Sequence, residues 1–117
     1  MIGARRAKAC ELVEPRAALG SLYGARVTDH CLDLLGAQGD VIVEGPFARN
    51  AAFCSGLAAL RAPQPVRASR DVTGTASGAA LLARWPAALV ENDTEQCAAI
   101  SIPGLAAHRE RWRAHAC

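Results

Sequence analysis

Between Pro15 and Gln38 the apolar residues Leu19, Leu22, Tyr23, Val27, Cys31, Leu34 and Leu35 recur every three or four positions. This spacing predicts a helix with one buried face. Pro15 suits its first turn, where a missing N–H costs nothing. Arg26, Asp29 and Asp33 fall outside the apolar stripe, and Gly36 and Gly39 supply the stop signals of a helix end. Val41-Ile42-Val43 is too short for a helix and β-branched throughout, which predicts a strand buried on both faces and ended by Gly45-Pro46.

A second helix is predicted from about Ala48 to Leu60, with Phe53, Leu57 and Leu60 on one face and Pro63-Gln64-Pro65 breaking it. Another short extended piece follows around Val66. Next comes a helical pattern from Thr75 to Ala83, in which Gly74, Gly78 and Ala79 leave a face bare of bulk and predict a close-packed neighbour in a soluble core. Residues Glu91 to Gln96 are polar and read as loop, and Ile100 to Gly104 connects to a last helix, Leu105 to His115. The order helix, strand, helix, strand, helix, loop, helix predicts α/β layers with short parallel strands packed against helices.

Composition narrows this picture. A chain of 117 residues accommodates one compact domain. The 51% hydrophobic content is carried largely by 26 alanines, so each buried residue contributes less than the roughly 1.5–3 kcal/mol of a Leu or Phe. A thin core of this kind predicts dependence on a partner domain. The net charge of +2 is too small for a surface built to hold nucleic acid or an anionic membrane. No apolar run approaches the ~18 residues of a membrane span, and a cytoplasmic protein is expected. Twelve of the thirteen basic residues are Arg, a bias that fits genome composition before function. Cys10, Cys31, Cys54, Cys97 and Cys117 are odd in number and never in a CxxC pair, which predicts reduced, mostly buried thiols.

Most catalytic signatures are absent by inspection. The single lysine, Lys8, follows no glycine loop, and there is no Gly-x-Ser-x-Gly elbow. His108 and His115 could share a face with Arg111 and Trp112, but solvated side chains describe them better than metal ligands. Arg109, Arg111 and Arg113 read as lying on different helix faces, which gives no nucleic-acid stripe. The stretch Val41 to Asn50 stands apart: a strand ending in a tight glycine turn and opening a helix gathers backbone N–H groups at one spot, which suits a phosphate or nucleotide edge. Spacing alone favours the plainer alternative, an ordinary strand-to-helix connection with Asn50 in the helix's first turn.

A resemblance changes that balance. Glu44-Gly45-Pro46-Phe47-Ala48-Arg49-Asn50, the stretch Leu57 to Val66 with its Pro65-Val66, and Gly74-Thr75-Ala76-Ser77-Gly78-Ala79-Ala80-Leu81-Leu82-Ala83 stand in order. Together they resemble the C-terminal domain of the FGGY carbohydrate kinases, over about Leu19 to Ala83. The implied fold is α/β, a partial actin-like (ribonuclease H-like) ATPase domain occupying residues 16–117, with 1–15 unassigned. In that family a Gly-Gly turn and a following Asn or Ser help hold the adenosine of ATP. The resemblance therefore implies cofactor-binding roles for Gly45, Pro46 and Asn50, with ATP or ADP and Mg²⁺ as ligands. Pro46 stands where the family has its second glycine and removes one N–H.

The family's first phosphate loop, sugar pocket and catalytic Asp belong to an N-terminal portion that nothing in Met1 to Pro15 resembles. The chain is thus expected to be the adenosine-side part of a kinase transferring phosphate to a sugar hydroxyl, inactive alone. Its expected partners are a nucleotide and either the missing N-terminal half or a second copy. A non-enzymatic remnant serving as a protein-interaction domain is the other reading, and a metal or redox protein using the cysteines and histidines is a third.

Overall fold

The structure, a computed structural model, describes residues 2–71, 73–86 and 93–116, and for residues 2–14 the backbone alone. Helix α1 runs Ile2–Leu34, so Pro15 lies inside it and not in its first turn. The residues before Pro15 are rich in Ala, with Arg, Lys, Glu and Leu, all strong helix formers, and they extend the helix past the boundary that proline predicts. Gly36 and Gly39 stop it as expected, with φ of 63° and 79°.

Strand β1 (Val41–Val43) leads through a 3-10 turn (Gly45–Arg49) into helix α2 (Ala51–Arg61). Strand β2 (Val66–Ser69) and helix α3 (Gly74–Leu82) follow, then strand β3 (Thr94–Gln96) and helix α4 (Leu105–Ala116). The sheet order is β1-β2-β3. The first pair is parallel, as expected, with Val41 opposite Val66 and Val43 opposite Ala68. The polar stretch read as loop is in part β3, which runs antiparallel to β2 and sets Ser69 opposite Thr94. Glu91 and Asn92 of that stretch lie outside the described residues.

The buried face of α1 is not the predicted one. Leu19, Tyr23, Leu34 and Leu35 are 61–80% exposed, whereas Ala25, Arg26 and Asp29 are buried. The reason lies in how α2 approaches. A Cβ placed on Gly56 would sit 3.6 Å from Leu22 and 3.7 Å from Ala25, and one on Gly24 would meet the Phe53 ring at 3.7 Å. Small residues let the helices come together, so the seam follows Gly24 and Ala25, not the bulkiest side chains. Phe53, Leu57 and Leu60 of α2 are buried as predicted, with Ala25, Val43, Cys54, Ala58 and Val66 completing the core.

Two further expectations are corrected. β1 is not buried on both faces: Val43 points into the core, but Ile42 is 46% exposed, because the helices cover one side of the sheet and leave the row Ile42, Arg67 and Gln96 open. Nor is the small-residue face of α3 packed along its length: Gly74, at its start, meets the Glu44 carboxylate closely, but the rest of the face stands open. That helix has no buried residue, and a Cβ on Gly78 would touch nothing within 4 Å.

The helices are fastened by charge. Asp29, 1% exposed, accepts from Arg61 Nη1 at 3.2 Å, from Arg109 Nε at 2.7 Å and Nη2 at 2.8 Å, and from Arg113 Nη2 at 3.0 Å. Asp33, one turn on, also pairs with all three arginines. Arg109 and Arg113 therefore share one face of α4, contrary to the reading that scattered them. The Asp29 hydrogen bond first of all holds Arg109 above its ordinary value. Asp33 is held below the usual carboxylate range, chiefly by the Arg61 hydrogen bond. Arg26, also on α1, is buried, its Nε and Nη2 without a hydrogen-bond partner among the described residues, and desolvation lowers its pKa.

Asp29→Asn leaves three guanidinium groups around a neutral amide, and should cost roughly 3 kcal/mol or more in urea unfolding. Asp93→Asn, which removes an exposed partner of Arg70, should cost less than about 1 kcal/mol. Because folding depresses the Asp33 pKa, its contribution is present at neutral pH. It is lost as pH falls below the unfolded value of about 3.9 and through the folded one. Asp33→Asn should accordingly flatten the fall of stability with acid measured across that window.

Candidate functional site

The turn leaving β1 faces the start of α3. Glu44, Gly45, Thr73, Gly74, Thr75 and Ala76 line an open recess of about 440 Å³. Gly45 has φ of 71°, a backbone region that L side chains avoid, although a Cβ there would meet nothing within 4 Å. Conformation, not space, requires this glycine. Pro46 follows in the first turn of the 3-10 segment, where its fixed φ is compatible and no N–H is called for.

Asn50 ends that segment and caps α2, its Oδ1 accepting from Phe53 N–H at 3.0 Å. Its Nδ2 donates to Ser21 Oγ at 2.9 Å, which joins the start of α2 to α1. So Asn50 is the N-cap, one position before the first turn. Gly45 and Pro46 stand at the recess; Asn50 is set back from it.

Across the recess, Asp71 Oδ1 accepts from Thr73 N–H at 2.8 Å and Thr73 Oγ1 at 2.7 Å. The Thr73 side-chain hydrogen bond is the first cause holding the Asp71 carboxyl below its ordinary value. Thr73 also lies 3.1 Å from Ser77 Oγ, so the loop into α3 is tied down. The Asp71 carboxylate takes the Thr73 N–H at the start of α3, and the N–H groups of the helix's first turn, Gly74 to Ala76, stand at the recess. The Glu44 carboxylate answers them: a Cβ on Gly74 would sit 3.2 Å from Glu44 Oε2. Glycine at 74 is what allows that carboxylate to approach the helix start. The recess thus offers hydrogen-bond donors from one wall and a carboxylate acceptor from the other, a set suited to hydroxyl groups.

The family model described as "Carbohydrate kinase FGGY, C-terminal domain" matches residues 3–93. The chain belongs to the FGGY carbohydrate kinase family. Among solved structures it is similar to a carbohydrate kinase from Novosphingobium aromaticivorans, with a TM-score of 0.66 and 31% identity over 84% of this chain. It spans 21% of that kinase's chain. Among curated proteins no sequence matches. The three-stranded sheet and its helices are accordingly part of the actin-like ATPase fold.

The other chemistry weighed from sequence finds little in this FGGY domain. Among the described residues no group of three or more His, Cys, Asp or Glu side chains could hold a metal ion. His30 packs edge-on against Trp112 with ring centroids 5.7 Å apart, and His115 contacts the Arg111 carbonyl. Of the described thiols, Cys54 is buried, Cys97 half-buried and Cys31 exposed. Burial, with Cys97 adjacent, pushes the Cys54 thiol up to about 11, so it stays protonated and a poor ligand or nucleophile at neutral pH. No described helix is long and apolar enough to cross a membrane.

Glu44 is the charged side chain of the recess that sequence reasoning passed over, and Asp71 the one that braces its Thr73 wall. Glu44 carried a signal, being the one acidic residue beside the glycine turn. Gly45→Ala should cost about 1–2 kcal/mol from the positive φ alone, read by thermal unfolding. Asn50→Ala should cost about 1 kcal/mol through the lost cap. Asn50→Asp, which keeps the acceptor and drops the donor to Ser21, should cost less.

Proposed function

We propose that this chain is the adenosine-side portion of an ATP-dependent sugar kinase, its recess between Gly45 and the start of α3 receiving the nucleoside end of ATP or ADP. The observation that carries the reading is the pairing, in one recess, of the positive-φ Gly45 turn with the α3 N-terminus and the Glu44 carboxylate. Glu44 repels a phosphate placed against it but accepts from ribose-type hydroxyls, which supports the sugar-and-base end over the triphosphate. Mg²⁺ would arrive on the phosphates, outside these residues. Pro46 contributes shape and no donor, and Asn50 acts by holding the turn against α1. A cytoplasmic setting accompanies this reading.

Phosphoryl transfer requires a base for the sugar hydroxyl and groups that place the γ-phosphate in line. Holding one end of ATP supplies neither, so the chain by itself should release no sugar phosphate. The acceptor sugar is bound by residues outside this portion.

The test is a thermal melt of the purified chain with and without millimolar Mg-ADP, since a ligand of the folded state alone raises the midpoint. The reading expects an upward shift, diminished in Glu44→Gln and in Asn50→Asp. A cooperative melt that ADP leaves unmoved removes the nucleotide assignment.

A further inference from the structure

Cys97 follows β3 directly, and its N–H donates to Val66 O at 2.8 Å, which continues the ladder between β2 and β3. With Gln96 opposite Arg67, Cys97 stands opposite Val66, whose side chain is buried in the core with those of α2. Opposed residues of a ladder present their side chains to the same face, so Cys97 turns toward α2 and packs against the core there. Further along the same segment, Ile100 N–H donates to Ser55 O at 3.2 Å. The stretch after β3 is therefore bonded to β2 at one end and, at the other, to the residue beside Cys54. Cys54 is 4% exposed, both thiols are free, and the Cys97 thiol is close enough to help keep that of Cys54 protonated. Neither thiol lines the recess described above.

We infer that Cys54 and Cys97 are a reversible disulfide site, closed and opened by exchange with small disulfides and thiols of the glutathione kind, and that the closed bridge staples α2 to the end of β3. Half-buried Cys97 reacts first. Its thiolate attacks one sulfur of glutathione disulfide, the S–S bond of that molecule breaks, and one glutathione leaves as the thiol. Cys54 then gives up its proton and attacks the Cys97 sulfur of the mixed disulfide, and the second glutathione leaves. Two protein thiols are oxidised to one disulfide, and one small disulfide is reduced to two thiols. Burial of Cys54 slows the second step. Closure withdraws the Cys54 S–H from Phe47 O, which it reaches at 3.3 Å, but that carbonyl keeps the Asn50 N–H at 3.0 Å. The turn into α2 is thus left without an orphaned acceptor at Phe47. The bridge encloses β2 and α3 between its ends and so restricts the unfolded chain. The site owes nothing to the nucleotide reading.

The probe is glutathione itself. The full 117-residue chain is equilibrated with reduced and oxidised glutathione at fixed ratios, alkylated, and mapped by peptide mass spectrometry, in native buffer and in denaturing urea. The Cys54–Cys97 bridge should form at least about tenfold more favourably in the folded chain than in urea, because the fold holds the two thiols together. By linkage the bridged chain should melt about 5 °C or more above the reduced one, and dithiothreitol should restore the lower midpoint. Cys31→Ser, at an exposed position, should change neither result. Cys97→Ala should abolish both the bridge and the rise in midpoint while the melt stays cooperative. Any of four results overturns the assignment: a bridge no more favourable in the folded chain than in urea, glutathione that stays on Cys97 without passing to Cys54, a bridged chain that melts at or below the reduced one, or Cys97 joined to Cys31 or to another chain in place of Cys54.

Discussion

The arrangement turns on one buried carboxylate. Asp29 has almost no access to water, and its ionised form is tolerable inside the fold because three guanidinium groups converge on it. Those groups come from α2 and α4, so satisfying one charge fixes the positions of three helices together. With a core of few large side chains, directional contacts of this kind carry more of the burden of uniqueness than apolar packing can. The joint between α1 and α2 in turn positions Asn50, which reaches Ser21 across it, and hence the turn that opens the recess.

Much of the fold was legible because it depends on local chemistry. Gly36 and Gly39 stop α1, Pro63 and Pro65 bound α2, and β-branched Val41-Ile42-Val43 forms a strand, each for reasons contained within a few residues. What the pattern misplaced depends on partners distant in the chain. The Leu19, Tyr23 and Leu34 stripe has the spacing of a buried face, yet α2 seats itself where Gly24 and Ala25 permit approach. Viewed on α4 alone Arg109, Arg111 and Arg113 look scattered, though the four-residue spacing of Arg109 and Arg113 matches that of Asp29 and Asp33. Recognising the match requires knowing that α4 lies along α1.

The candidate site divides in the same way. Gly45 and Pro46 could be read from the turn itself, and the family resemblance identified the turn. Glu44 gains its role only when α3 is brought opposite it, through Gly74, thirty residues on. Asn50 was legible as a polar residue at a helix start but not as a bridge to Ser21, because Ser21 lies in a helix whose rotation was misjudged.

The closeness of α1 and α2 has a further consequence. Methyl groups at Gly24 and Gly56 would find neighbours at 3.6–3.7 Å, ordinary contact without collision. A glycine inside a helix sacrifices about 0.5–1 kcal/mol relative to alanine through the freedom of the unfolded chain. The seam therefore holds a reserve that two single-methyl substitutions could release. The domain is thus less stable than the geometry of its central joint would allow.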